Sequence, residues 1–330
     1  MLQRRHSRAT RRAARIRSDA RDRDDTGFQL RQSARHPSSK DRVVVVGNCQ
    51  AGAVQMLLNT NPEFADRFEF VSFPAVHEIA EEAVPALHEA VSQAAIVIPQ
   101  RVEESYRDGV GLGTETLARI AGSATVIRWP SIFWAGYFPD LFYLRDDAGR
   151  PVVDGPFDYH DRLILEAYVE RKTVDEVCRL LGDPERPSHA VAWAAETTAE
   201  LELRGRDCDV EVTSFIASRF RDELLFFTMN HPANRLLGHI AQQITERAGI
   251  PGSVDASAIG NEILDFTFYP LHANHVRALE LHFGKQVRAG AAPFRIRGVD
   301  YDPPRAVQAF FDYYTANPRL VEINRAPSGG

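Results

Sequence analysis

"VVVVGNCQAG", residues 43–52, decides the fold. Four β-branched residues in a row leave no polar face, so they read as a strand covered on both sides, the habit of parallel sheets in α/β proteins. Gly47 and Asn48 stop the strand, and "AVQMLLN" (53–59) reads as a helix. Cys49 falls on the turn between the two. In an open parallel sheet that turn lies at the carboxyl end of a strand, where ligands bind.

Working outward, short apolar runs alternate with helical ones. "FEFVSF" (68–73), "AAIVIPQ" (94–100) and "ATVIRWP" (124–130) read as three further strands. "HEIAEEAVPALHEAVSQ" (77–93) reads as an amphipathic helix weakened at Pro85, and "TETLARIAG" (114–122) as a short helix stopped by its glycine. The alternation predicts βαβ units and a three-layer, doubly wound α/β core with a mainly parallel sheet over about 42–130.

Beyond residue 130 the chain changes character. "PSIFWAGYFPDLFYL" (130–144) is aromatic and broken by proline. Helical patterns then dominate: 158–172, 173–182, 188–206 and 209–220. "ELLFF" (223–227) reads as one more strand. "PANRLLGHIAQQITERAG" reads as a helix with Pro232 in its first turn and Gly249 at its end. "PPRAVQAFFDYYTAN" (303–317) reads as a closing helix. The expectation is one α/β domain over 42–330, its large helical C-terminal portion completing the site.

Residues 1–42 hold thirteen basic residues against five acidic ones, net +8, and the remainder carries −14. The acidic body excludes nonspecific nucleic-acid binding. The basic segment, 1–41, has too few apolar residues to fold alone and reads as a disordered tail. No apolar run approaches the ~20 residues of a membrane span. Three cysteines, Cys49, Cys178 and Cys208, at wide spacing and with no CxxC, point to reduced thiols and a cytoplasmic protein.

The turn itself carries chemistry. At a helix N-terminus the macrodipole and free backbone N–H groups favour a thiolate, so Cys49 is expected to have a lowered pKa and to act as a nucleophile. The free N–H groups suit an oxyanion, and Asn48 and Gln50 add amide donors. Gly47 and Gly52 leave room for a ligand. The alternative is a cysteine that merely fills a tight turn. The stretch lacks the GxGxxG of a dinucleotide fold, and Ala53 stands where a P-loop has lysine.

Acyl transfer also needs a base. His231, in "LLFFTMNHPANRLLGHI", follows a predicted strand and precedes a helix start. His160, in "GPFDYHDRL", sits between Asp158 and Asp161. Either could also be an ordinary loop or surface histidine. Gln100 and Arg101 end the third strand and Arg128 the fourth, on the same edge as Cys49. His272, His275 and His282 invite a metal reading, with His275 and His282 sharing a helix face, but no HExxH or local carboxylate pattern supports it, and no metal is expected.

Four blocks in order, "GNCQ", "IRWPSIFWAGYFPDLFYL", "GPFDYHDRL" and "FFTMNHPANRLL", resemble the capsule polysaccharide biosynthesis acetyltransferases of the WcbI type, from about residue 43 to about 245. The cysteine turn is similar in placement to the serine turn of the SGNH hydrolases. The resemblance implies an acyltransferase that takes acetyl-coenzyme A as donor and modifies a hydroxyl of a sugar or sugar nucleotide. It implies Cys49 with His231 or His160 as catalytic residues. Ser131 and Tyr137 of the aromatic block would be substrate contacts, that block offering a surface for a sugar face or a pantetheine arm. Gly47, Arg101, Arg128, Asn234 and Arg235 would meet the cofactor, the arginines at its phosphates. A homo-oligomer is compatible. Two other readings stay open: a cysteine-dependent esterase using water, and a non-catalytic module that binds a nucleotide sugar.

Overall fold

The first strand, β1 (Asp41–Val46), is central. A computed structural model describes residues 40–153, 157–285, 287 and 289–325 of the chain. Apart from Lys40 and Asp41, the basic tail expected over 1–41 lies outside the described residues. β1 is followed by α1 (Cys49–Leu58), α2 (Pro62–Arg67), β2 (Phe68–Phe70), α3 (Val84–Ser92), β3 (Ile96–Pro99), α4 (Thr114–Ala121) and β4 (Thr125–Val126). The four strands are parallel, in the order β2-β1-β3-β4.

Alternation along β1 explains the layers. Val43 and Val45 point into one core with Val54, Leu57 and Leu58 of α1. Val44 and Val46 point into the other, with Leu87 and Val91 of α3 and Leu117 of α4. All four valines are buried, each contributing about 1.5–3 kcal/mol relative to exposure. The chain is thus wound on both faces of the sheet, as predicted. Because β2 and β3 flank β1 on opposite sides, the strand order reverses between β1 and β3, and the crevice there is the binding position of such sheets.

Several boundaries differ from the sequence reading. Pro85 begins α3 instead of weakening a longer helix, because a first-turn proline has no hydrogen bond to lose. β2 and β4 are shorter than predicted, β4 continuing only as a bridge between Gln100 and Trp129. After the small antiparallel pair β5 (Leu141–Phe142) and β6 (His160–Asp161), the predicted strand at 223–227 is β7 (Phe226–Thr228), but it pairs antiparallel with β8 (His231–Pro232) outside the main sheet. Pro232 therefore lies in a strand, and the helix after it, Asn234–Arg247, starts two residues later.

The second half is helical, as expected: Arg162–Val169, Val174–Leu181, Ala190–Gly205, Thr213–Arg219, Ala273–Ala278, Pro303–Ala316 and Pro318–Asn324. The helix 174–181 opens on a capping box between Thr173 and Glu176. The aromatic block after β4 goes inward. Trp129, Trp134 and Tyr137 are fully buried, and Trp134 packs on Tyr137, Phe220 and Phe226. The sugar- or pantetheine-holding surface expected there is therefore largely core. The described residues from Lys40 onward form one compact unit.

Candidate active site

Asn48 caps α1: its side-chain oxygen accepts the Gln50 N–H at 2.9 Å. Its own N–H donates to Gln100 Oε1 at 2.9 Å. The turn after β1 is thus tied to the end of β3, across the crevice. Gly47 is needed for this closeness. A Cβ there would lie 2.8 Å from both Gln100 Cβ and Gln100 Oε1. The room at Gly47 is used by Gln100, not left for a ligand; Gly52 does face open space.

Gln50 is fully buried. Its Nε2 donates to Ile132 O at 2.6 Å and Asn230 O at 2.8 Å, and its Oε1 accepts from Gln100 Nε2 at 2.8 Å and Ile132 N at 3.2 Å. The amide donor expected from Gln50 is therefore committed to the chain, and so is the side chain of Gln100, expected as a ligand contact. They clamp three segments: the Cys49 turn, the loop after β4 and the β7–β8 hairpin.

Cys49 is the first residue of α1 and is partly buried. Burial pushes its thiol up to about 11. The N–H groups of Cys49 and Gln50 pull it down, as a helix start should, and Glu78 pushes it further up. The expected thiolate is thus overturned: removing the sulfur from water outweighs a helix terminus that supplies only partial charge.

Facing Cys49 is a network the sequence reading did not assemble. The charge of a Cys49 thiolate would raise the pKa of both Tyr143 and Tyr159. Tyr159 donates its hydroxyl to Asn230 Oδ1 at 2.6 Å, and Asn230 Nδ2 donates to Tyr143 Oη at 3.3 Å. Thr228 donates to the same Asn230 oxygen at 3.2 Å. Burial raises both phenols, so they are neutral donors. The signal for each was its place one residue before a candidate histidine, Asn230 before His231 in "TMNHP" and Tyr159 before His160 in "FDYHD".

His231 is buried on β8, edge-on to Tyr159 with ring centroids 5.9 Å apart. Burial lowers it to about 4, so it is neutral at pH 7, and its Nδ1 has no hydrogen-bond partner among the described residues. It thus adjoins the Cys49 side through Tyr159. His160 does not. It is packed among Phe157, Phe310, Tyr313 and Tyr314, its Nδ1 3.0 Å from Tyr314 Oη, and burial lowers it to about 3.

The remaining candidates are engaged elsewhere. Arg101 pairs with Glu103 and Asp207, Arg128 with Glu115, and Arg235 with Glu223. Asn234 donates to Asn261 O and accepts from Ile263 N, holding a loop. Tyr137 donates to the carbonyls of Phe220 and Glu223. The Ser131 carbonyl accepts from Arg204.

A second polar cluster lines a small cavity with Tyr137. His272 Nε2 is 2.8 Å from Asp161 Oδ2, and His275 Nε2 is 2.8 Å from Asp140 Oδ2. Burial disfavours charge on His272, but Asp161 and Asp140 overcome it and hold its pKa up at about 9. His282 is exposed beside Asp222, so the expected shared face with His275 does not form.

Comparisons with known proteins bear on the whole arrangement. The family described as polysaccharide biosynthesis enzyme WcbI matches residues 42–253, more than half of the chain. A solved structure is similar, with TM-score 0.67 and 24% identity, over 86% of this chain and 97% of that one. It is described as WcbI, a novel polysaccharide biosynthesis enzyme, as native protein without a disulfide bond between coenzyme A and a cysteine. Curated proteins give no match.

Proposed function

Because the chain belongs to the WcbI family of polysaccharide biosynthesis enzymes, we propose that it transfers an acyl group from acetyl-coenzyme A to a hydroxyl of a sugar or sugar nucleotide. One observation carries this reading: the Cys49 thiol stands at the switch point of the sheet, on the turn that Gln50 ties to Asn230 of the Tyr143–Tyr159–Asn230 network. The similar solved structure is described by reference to coenzyme A and a cysteine. Of the three cysteines here, Cys49 alone lies at a strand end of the parallel sheet; Cys178 lies on the helix 174–181 and Cys208 after the helix 190–205. In this reading the thioester lies beside Cys49.

The chemistry is direct transfer. The acceptor hydroxyl oxygen attacks the thioester carbon, a C–O bond forms and the C–S bond breaks. The hydroxyl proton passes to His231, whose unprotonated state at neutral pH suits a base. It returns to the departing coenzyme A thiolate. The Cys49 N–H and the neutral Tyr143 phenol, which accepts from Asn230 and keeps its own proton to donate, stabilise the oxyanion. A thiol with a pKa of about 11 is almost wholly protonated at pH 7, so it contacts the thioester instead of attacking it.

Calorimetry with coenzyme A and acetyl-coenzyme A, paired with thiol-release assays on sugar and sugar-nucleotide acceptors, tests this. Micromolar binding and acceptor-dependent thiol release are expected, with turnover surviving in Cys49→Ser. No binding of either ligand would overturn the acyltransferase reading. An acyl-Cys49 adduct found by mass spectrometry would overturn direct transfer alone. Alkylation of the free enzyme at Cys49 should rise about tenfold per pH unit from 7 to 9, the thiol being still largely protonated throughout.

A further inference from the structure

We propose that Asp140, His272 and His275 form a binding site for a divalent transition-metal ion of the zinc class. The three come from two segments far apart in sequence: Asp140 from the turn before the strand Leu141–Phe142, and His272 and His275 from the N-cap and body of the helix Ala273–Ala278. Their donor atoms all lie within 4.8 Å of one another. His272 Nδ1 is 3.1 Å and His275 Nε2 2.8 Å from one oxygen, Asp140 Oδ2. Adjacent ligands around tetrahedral zinc stand about 3.3 Å apart, from bonds of about 2.0 Å.

The outer nitrogens are held as metal-bound imidazoles require. His272 Nε2 meets Asp161 Oδ2 at 2.8 Å, and Asp161 is itself fixed because its Oδ1 caps the helix Arg162–Val169. His275 Nδ1 meets Ser188 Oγ at 2.9 Å, and Ser188 Oγ also accepts the Ala190 N–H. Such outer partners fix the orientation of each ring, and a bound ion takes the place of any proton on the inner nitrogen.

The independent observation is His272 Nδ1. It is buried and meets only the Asp140 carboxylate, at 3.1 Å, in an approach misaligned for a hydrogen bond. A buried ring nitrogen left this way is rare. Two histidines and one carboxylate converge with each outer nitrogen secured, a donor set that suits zinc and its first-row neighbours. The three residues line a small cavity together with Tyr137, Leu141, Tyr269 and Pro270, which gives the space for the ion itself. The sequence reading missed the site because its third ligand, Asp140, is nowhere near the histidines in the chain. The proposal does not depend on the acyltransferase reading.

The test uses the untagged full chain, loaded with Zn²⁺, dialysed, and measured by elemental analysis and X-ray absorption. One zinc per chain with a shell of nitrogen and oxygen only is expected. Asp140→Asn and His275→Gln should each lower retained zinc at least tenfold while keeping the wild-type circular dichroism. Because a variant could fail to fold, ¹⁵N histidine spectra of the wild type give a second readout. Zinc should shift His272 Nδ1 and His275 Nε2 and leave His282 unmoved. Absence of stoichiometric zinc, sulfur in the shell, or unshifted His272 and His275 signals would each overturn the site.

Discussion

Gln50 uses its whole side-chain amide within the protein. Its two donors meet two carbonyls and its oxygen accepts twice, all inside the fold. Gln50→Glu would set a carboxylate against the Ile132 and Asn230 carbonyls and leave both without a donor. We expect a loss of about 2–4 kcal/mol, since each orphaned buried acceptor costs about 1–3 kcal/mol. Urea unfolding measures it; a variant as stable as the wild type would show that the clamp carries no weight. The same residue marks the limit of local reading. The sequence places Gln50 and Cys49 on the right turn. It offers no way to see that Gln50's partners come from residues 100, 132 and 230, or that enough chain covers Cys49 to raise its pKa instead of lowering it.

At the scale of the element, β1, the turn and α1 form where "VVVVGNCQAG" puts them, because an apolar β-branched run and an asparagine cap are local signals. The two glycines of this unit differ. Gly47→Ala would drive a methyl against Gln100, and the crowded atoms belong to a side chain already fixed by hydrogen bonds. Overpacking of this kind costs about 1–3 kcal/mol. Gly52→Ala meets open space inside a helix and should stabilise by about 0.5–1 kcal/mol. Thermal melts of the two variants should move in opposite directions; both falling, or both rising, would refute this account of the turn. The β7–β8 hairpin was harder to read. A short apolar run such as "ELLFF" says strand, yet its pairing partner is decided by neighbours that the run does not encode.

At the scale of the whole molecule, burial lowers the pKa of the interior histidines His231, His160 and His275, the first two by a large margin. His231 and His160 have folded pKa values of about 4 and about 3 against an ordinary 6.5. Both are depressed, so below 6.5 the unfolded chain takes up protons that the folded one refuses. Stability from this source is whole above about pH 7 and falls as pH drops toward 4. Between pH 6 and pH 5 the two together should cost about 2 kcal/mol. Urea midpoints across that interval give the measurement, and a flat profile would mean that both rings are more hydrated than the fold implies.

By itself the sequence determined the doubly wound α/β core, the cysteine at its switch point and the family, because strand, helix and cap signals act within about ten residues and the family blocks lie in order along the chain. The tertiary structure alone decided what those residues face. It separated His160 from His231, turned Trp134 and Tyr137 inward, paired Arg101, Arg128 and Arg235 with carboxylates, and gathered Asp140 with His272 and His275. Burial and long-range hydrogen bonding set pKa values and orientation, and both depend on which distant segments the folded chain brings together.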